Sequence, residues 1–531
     1  MRKISLQMAM FSMLGVPLLF IILSVNVRHL QGANYQAFFS DPSYAYLLNS
    51  LNIVNGKRPG HTDHPGTTVQ LLGGLVLEVD SFIGTLKGET KSVSVKVLED
   101  PESYIKKISN VFISIVAVAV FLFGMQVYLA TKRLGLAIIV QAFPLSFPAF
   151  LEHLPRLEPE PLLVASSYLL ATILVPLATG SAEKLFCSRR TALMTGIIMG
   201  IGVVTKVTFA PLLLFLFVFR GYKARLLVSI ALVTTVIILT IPIWTLVPRI
   251  ISWLIGIMTH SGRYGTGEAG LPSASNLLAN GMALWRNAPL MFYFIPVLLI
   301  SLLTFKKDMS SSGLNRFLVV ILVVLISFLA ITIKHPGVHY LMPMMALSGF
   351  LIVVISLTFP WRNSVFFVPI ISVICVLFVH GAIQQTKRVL LNYQKQHNEF
   401  SRLKEVAQQY GCRVISYYYR SSSQEYALSF GNDFAGNIYK KQLTDLYPDF
   451  MTYNIWKHWF SGFKSRYSRT EMKDLLHNAD PICLLGTTAL PYAGQPAVKI
   501  LEKTEQAYLY QFLGWDIHST MDQDKVKSED K

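Results

Sequence analysis

The stretch TALMTGIIMGIGVVTKVTFAPLLLFLFVF, from Thr191 to Phe219, carries one charged residue, Lys206, in 29 positions. A bilayer core of about 30 Å takes about 20 apolar helical residues, so the run is either one long tilted helix or two short ones. Basic residues flank it on both sides: Lys184, Arg189 and Arg190 before it, and Arg220, Lys223 and Arg225 after it. Because loops rich in basic residues favour the cytoplasmic side, both ends of the run should lie inside. The chain should therefore cross the membrane an even number of times between them. The pattern predicts two short helices with Lys206 near their outer apex.

Apolar runs of this kind recur through most of the chain. Of its 531 residues, 52% are hydrophobic and 15% are charged, and the mean hydropathy is +0.46. This composition excludes a soluble globular protein, a disordered chain and a small disulfide-stapled domain. We predict a polytopic α-helical membrane protein with about eleven transmembrane helices. The predicted spans are 8–26, 108–130, 135–152, 161–179, 191–204, 207–219, 226–247, 288–305, 317–333, 340–358 and 363–383.

The net charge of +17 comes mainly from basic residues in the loops between the apolar runs. Residues 386–531 hold 19 Lys/Arg and 16 Asp/Glu, so most of the excess lies in loops between apolar runs. With the N-terminus inside, the inner loops collect 14 basic residues against Glu183 and Asp308, as the positive-inside rule predicts. Nucleic acid is therefore not a predicted partner. We expect the first span to stay as an anchor in the inner membrane, the alternative being a cleaved signal peptide.

The predicted outer side carries the residues suited to chemistry. It includes a large first loop, 27–107, within a membrane domain, 1–385, and a soluble domain, 386–531. Helical spacing over 400–410, followed by strand-like runs at 413–419 and 481–485, predicts a small α/β fold for the soluble domain. Cys412 and Cys483 fit either an extracytoplasmic disulfide or two buried thiols.

Asp41 is the first candidate for catalysis. It precedes an apolar and asparagine-rich segment, 43–55, that predicts a short helix lying in the membrane interface. An acid there caps the helix start, and it is also placed to accept a proton from a bound hydroxyl. The two roles are compatible.

Other polar residues of the outer loops form a second group of candidates. His61, Asp63 and His64 fit a polar turn that positions substrate better than a metal site, because ligands spaced so closely beside Pro and Gly are a weak metal signal. Lys206 either snorkels to the interface or binds the phosphate of a lipid. The remaining candidates for substrate binding are Arg156, Glu158, Arg263, Tyr264, His335, His339 and Tyr340, with Lys334 as a further loop charge.

Four segments together resemble a known family. They are Asp41-Pro42-Ser43-Tyr44, Asp63-His64-Pro65, the glycine-rich run 196–206 ending at Lys206, and the run 334–343 that contains His335, His339 and Tyr340. Their order along 1–385 resembles the GT-C superfamily of integral-membrane glycosyltransferases. The closest branch holds protein O-mannosyltransferases and the lipid A aminoarabinose transferase.

This resemblance implies transfer of a sugar from a polyprenyl phosphate donor to a glycan, lipid or protein acceptor outside the membrane, with inversion at the anomeric carbon. Asp41 would be the base, and Lys206, Arg263 or a histidine of 335–340 would stabilise the leaving phosphate. Many relatives carry a second acid directly after the first, but Pro42 stands there, so Asp63 or Glu158 would supply that carboxylate. Glu158-Pro159-Glu160 is too weak a match to the Asp-x-Asp motif of related oligosaccharyltransferases to predict a divalent metal, and no cofactor is predicted.

Two other functions fit an outward-facing polytopic protein. A transporter or lipid flippase also places charges at membrane depth, although it is expected to show inverted repeats and broken helices in both halves. A GT-C-like scaffold without catalytic activity is the other alternative.

The charge distribution generates a topology test. Reporter fusions after Arg190, after Arg225 and at the C-terminus should report inside, inside and outside, because basic loops are retained in the cytoplasm. A cytoplasmic C-terminus would contradict the even number of crossings in 191–219.

Overall fold

Long apolar helices make up most of the protein. The computed structural model describes residues 5–37, 42–62, 65–179, 188–259, 273–304, 312–334, 337–358, 367–417, 423–454, 459–464, 466, 481–486, 490 and 496–515. The α-helices are α1 (Leu6–Gln31), α2 (Asn34–Ala37), α3 (Ser43–Val54), α4 (Thr67–Leu86), α5 (Val93–Glu99), α6 (Pro101–Thr131), α7 (Leu134–Ala142), α8 (Pro148–His153), α9 (Glu160–Ala178), α10 (Arg189–Thr205), α11 (Tyr222–Thr240), α12 (Val247–Thr259), α13 (Ala274–Asn287), α14 (Pro289–Thr304), α15 (Ser312–Lys334), α16 (Met342–Thr358), α17 (Phe367–Gln409), α18 (Gln424–Phe434) and α19 (Lys440–Leu446). Four 3-10 segments lie between them: Phe143–Ser146, Val207–Val218, Ile241–Leu246 and Val338–Leu341.

The chain divides into two compact units. The first comprises Met1–Arg28, Asn52–Leu77 and Lys106–Arg388, and the second comprises His29–Leu51, Glu78–Ile105 and Val389–Lys531. Within the described residues, eight helical segments are long and apolar enough to cross a bilayer, or nine if the pair α13 and α14, bent by 96°, is one span. The predicted fold class, a polytopic helical membrane protein with a C-terminal α/β domain, is confirmed.

The individual spans differ from the predicted set in two places and agree with it in a third. The predicted span 135–152 is wrong as a single helix, because a 3-10 segment separates α7 from α8 where Pro144 and Pro148 interrupt the backbone hydrogen bonds. The run 191–219 does form two short elements, α10 and the 3-10 segment Val207–Val218. Helix α4, which is long enough to span, falls inside the predicted outer loop; Glu78 and Asp80 near its centre favour an interfacial position.

Glycines set the packing of α10 against α11 in the first unit. A Cβ atom added to Gly196 would lie 2.3 Å from the carbonyl oxygen of Val228, and one added to Gly200 would lie 2.6 Å from Cβ of Thr235. Small residues four positions apart allow two membrane helices to approach closely, and close approach is what stabilises helix pairs in lipid. The end of α10, and with it Lys206, is therefore held against α11.

The second unit contains a six-stranded mixed sheet. Its strands are β1 (Arg413–Tyr417), β2 (Thr452–Asn454), β3 (Trp459–Ser461), β4 (Ile482–Gly486), β5 (Pro496–Lys503) and β6 (Tyr508–Trp515), in the order β3-β2-β1-β4-β6-β5. Strand β1 pairs in parallel with β2 and β4, and the other pairs are antiparallel. The continuous apolar run of β4 is buried on both faces, as expected of an internal strand.

Two further features of this unit bear on the predictions. Cys412 and Cys483 form a disulfide with a Cα–Cα distance of 5.5 Å. Helix α3 is present, but residues 43–52 are buried on both faces instead of lying with one face in the interface. Asn49 illustrates the difference, because its amide donates to the carbonyls of Ala45 and Phe434 at 2.7 and 3.3 Å.

The glycine contact in the membrane unit generates a stability prediction. Gly196→Ala places a methyl group against backbone and should destabilise the protein by about 1–3 kcal/mol, the usual cost of overpacking. Gly15→Ala is the matched control, since nothing lies within 4 Å of its added Cβ. Thermal unfolding in detergent measures both variants. Equal melting temperatures for the two would contradict the close approach of α10 and α11.

Candidate functional site

The site begins at a proline-rich loop between α8 and α9. Helix α8 ends at His153, and Pro155 and Pro159 keep the following residues out of a regular helix until α9 starts at Glu160. Glu158 and Glu160 are both buried, at 3% and 2% exposure. Two carboxylates buried so deeply require cationic or hydrogen-bonding partners.

Lys206 is the partner of Glu160. The Nζ atom lies 2.5 Å from Oε1 of Glu160, and the two side chains are 5% and 3% exposed. Of the two readings of Lys206, snorkelling is therefore wrong: the side chain does not reach solvent but ends in a buried ion pair. Among the described residues, Glu160 is the only hydrogen-bond acceptor of Nζ, which leaves two of its three N–H groups for another oxygen.

Both charges of the pair lie at helix ends that favour them. Glu160 is in the first turn of α9, where the helix dipole stabilises an anion. Lys206 caps the C-terminus of α10, where the dipole stabilises a cation, and its own N–H donates to the carbonyl of Gly202 at 3.0 Å. The helix dipoles thus offset part of the cost of burying the pair.

An imidazole and a phenol ring lie beside the ammonium group. Nζ of Lys206 is 5.1 Å from the ring centroid of Tyr340, and the rings of His339 and Tyr340 are 4.1 Å apart. Gly337 makes room for them, because a Cβ atom there would lie 2.9 Å from atoms of both rings. The rings place a cation–π contact and a hydrogen-bonding imidazole around Lys206.

The other glutamate organises a second histidine. Oε1 of Glu158 lies 2.6 Å from Nδ1 of His153, and Oε2 lies 3.9 Å from Nη1 of Arg156. The ring of His153 is 5.4 Å from that of His339, which links this group to the surroundings of Lys206. A carboxylate bonded to one ring nitrogen fixes the orientation of the imidazole and directs its other nitrogen outward from the pair.

A loop segment is bonded to the end of α10 next to the site. Gly66, which follows Asp63-His64-Pro65 in the sequence, donates its N–H to the carbonyl of Val204 at 3.1 Å. The hydroxyl of Thr68 donates to that of Thr205 at 2.7 Å. The start of α4 is therefore fixed within two residues of Lys206.

The structure brings five of the predicted site residues together: Arg156, Glu158, Lys206, His339 and Tyr340. The others lie outside the described residues: Asp41, Asp63, His64, Arg263, Tyr264 and His335. Over the part of the chain that is described, no group of three potential metal ligands occurs.

Two residues of the site were missed from the sequence. Glu160 was noted beside Glu158, but nothing in the spacing showed that it, and not Glu158, faces Lys206. His153 was placed in the outer loop but not selected, although its position five residues before Glu158, with Pro155 between them, was a usable signal of a tight loop.

Comparison with solved structures gives two similar chains. ArnT from Cupriavidus metallidurans bound to undecaprenyl phosphate is 11% identical, with a TM-score of 0.48, and the match covers 94% of this chain and 97% of that one. ArnT from the same organism in the apo state is 12% identical, with a TM-score of 0.49 and the same coverage. ArnT is a lipid A aminoarabinose transferase. No protein-family model matches the sequence, and no curated protein matches it.

The ion pair generates a double-mutant prediction. Lys206→Met or Glu160→Gln alone should destabilise the protein by about 3–5 kcal/mol, because each leaves its partner buried and unpaired. The double variant should recover most of that loss, and the coupling is read from a cycle of unfolding free energies in detergent.

Lys57→Met is the matched control, since Lys57 is exposed. If Lys206→Met costs no more than this control, the burial and pairing of Lys206 are contradicted and a snorkelling lysine explains the position.

Proposed function

We propose that the protein is an integral-membrane glycosyltransferase that transfers a sugar from a polyprenyl phosphate donor to an acceptor on the outer side of the inner membrane. The observation that carries the proposal is the buried Lys206–Glu160 pair with two N–H groups of Lys206 available for a further oxygen. Ionisable residues buried within a helical membrane protein mark functional sites by default, because their cost needs a compensating role.

The donor phosphate would bind at Lys206. Two N–H groups and the adjacent His339 supply hydrogen bonds to phosphate oxygens in a poorly hydrated site, where such bonds are strong. As the glycosidic C–O bond breaks, the polyprenyl phosphate leaves with the bonding electron pair, and the extra negative charge falls next to the ammonium group. Before the donor binds, the carboxylate of Glu160 balances the charge of the Lys206 ammonium group and holds it in place.

The acceptor is activated by a base. Its hydroxyl attacks the anomeric carbon from the side opposite the leaving phosphate, which inverts the configuration there, and its proton passes to the carboxylate of Asp41. Glu158 is the second carboxylate, and it acts through His153, whose ring it holds by the 2.6 Å contact. In this arrangement His153 is a positioning residue for the acceptor or donor.

The disulfide of the soluble domain supports the side of the membrane on which we place the reaction. A disulfide such as Cys412–Cys483 persists in an oxidising compartment and is rare in the cytosol, which supports an extracytoplasmic C-terminal domain. This agrees with the positive-inside arrangement of the loops. The acceptor, whether a glycan, a lipid or a protein, is accordingly expected outside.

Asp41→Asn tests the proposal. The variant keeps the size and most of the helix-capping capacity of Asp41 but removes the proton acceptor, so turnover should fall by about two to four orders of magnitude while folding is unchanged. Release of polyprenyl phosphate from native lipid-linked sugars is measured by mass spectrometry in membranes that contain each variant.

Asp445→Asn is the control, an exposed aspartate on α19. Normal release by a folded Asp41→Asn protein would refute Asp41 as the base and leave Asp63 as the next residue to change. If the unmodified protein releases no polyprenyl phosphate, the enzyme assignment itself fails in favour of a scaffold or a transporter.

A further inference from the structure

A groove lies along α6 in the first unit, and none of its lining residues belongs to the Lys206 site. It has a volume of about 420 Å³ and is lined by Asn110, Val111, Ser114, Ile115, Val118 and Ala119 of α6 and by Leu169 of α9. The six residues of α6 recur at helical spacing, so they form one continuous face of that helix. The groove is polar only at the Asn110 end.

The length of the groove matches one leaflet of a bilayer. From Asn110 to Ala119, α6 rises by about 14 Å at 1.5 Å per residue, which is about half of a 30 Å hydrocarbon core. In the predicted topology α6 runs inward from the outer side, so its polar end lies at the level of the outer headgroups. The apolar remainder extends toward the middle of the bilayer.

A half-buried arginine, Arg28, is bonded to Asn110 at the polar end of the groove. Nη1 of Arg28 donates to Oδ1 of Asn110 at 2.6 Å and to the carbonyl of Lys106 at 3.3 Å. Among the described residues, Nε and Nη2 of Arg28 are buried without a hydrogen-bond acceptor, and Arg28 forms no ion pair with a carboxylate. Lys106, one helical turn before Asn110, is exposed and adds a second positive charge.

The Nε and Nη2 donors of Arg28, which have no acceptor among the described residues, favour the binding of an anion. A buried guanidinium donor without an acceptor is costly, and the Nε and Nη2 pair of an arginine matches two oxygens of one phosphate. Charge complementarity thus selects an anionic headgroup, and the apolar groove selects a hydrocarbon chain.

We propose that this groove binds an anionic glycerophospholipid of the outer leaflet, with its phosphate on Arg28 and one acyl chain along α6. The one-leaflet length favours a glycerophospholipid over a polyprenyl phosphate, whose chain is much longer than the groove. The site is separate from the proposed donor site and does not depend on the proposed enzyme activity.

Native mass spectrometry of the delipidated full-length protein tests this proposal. Phosphatidylglycerol, phosphatidylcholine and undecaprenyl phosphate are titrated separately, and binding of the first molecule is measured. We expect phosphatidylglycerol to bind about tenfold more tightly than phosphatidylcholine, and Arg28→Gln to remove that preference while keeping an amide for Asn110. Arg190→Gln, at an exposed arginine of α10, should leave the preference intact.

A second pair of variants tests the groove independently of Arg28. Val118→Trp fills the groove from an exposed position and should weaken phosphatidylglycerol binding, whereas Leu122→Trp, also exposed on α6 but outside the groove, should not. Equal binding by Arg28→Gln and Arg190→Gln, or by Val118→Trp and Leu122→Trp, would overturn the proposal. Tighter, Arg28-dependent binding of undecaprenyl phosphate would assign the groove to the carrier lipid instead.

Discussion

A lysine and a glutamate buried together at the ends of two helices impose the main constraint on the membrane unit. Lys206 and Glu160 are 2.5 Å apart and nearly inaccessible, so neither can be moved from the other without leaving a charge in a medium that solvates it poorly. The pair therefore fixes the C-terminus of α10 against the N-terminus of α9. The 3-10 turn that presents His339 and Tyr340 packs around this fixed point.

Among the buried charges described in the site, Arg156 and Lys206 balance Glu158 and Glu160. These balanced charges can be buried without a ligand, and binding of an anion adds negative charge to them. Two N–H groups of Lys206, which have no acceptor among the described residues, are then available to that anion. A glutamate partner thus allows Lys206 to be buried before any anion binds.

How far the sequence predicted the structure depended on how local each feature is. The spans at α9 and α15 and the strands β1 and β4 follow from apolar length and β-branched content and were predicted to within five residues, whereas α6 begins seven residues before its predicted start. The break between α7 and α8 was missed although Pro144 and Pro148 stand inside the predicted span, because apolar length was given more weight than proline. Helix α4 was missed as an element because Glu78 and Asp80 interrupt its apolar pattern.

The candidate site was likewise predicted only where its features are local in the sequence. Lys206, His339 and Tyr340 were predicted together from their motifs, and the structure does place them together. The pairing of Lys206 with Glu160 depends on the relative rotation of α9 and α10, which no local pattern encodes, whereas the contact of His153 with Glu158 is local. A buried ion pair between residues 46 positions apart is visible only once the helices are packed.

The most direct test of the central claim is a cryo-EM structure of the protein in lipid nanodiscs with a polyprenyl phosphate bound. We expect phosphate density within hydrogen-bond distance of Nζ of Lys206, with Glu160 still on the other side of the ammonium group and Asp41 facing the bound donor. Phosphate density elsewhere, with the Lys206–Glu160 pair unchanged and out of its reach, would contradict the account and make the pair a structural feature alone.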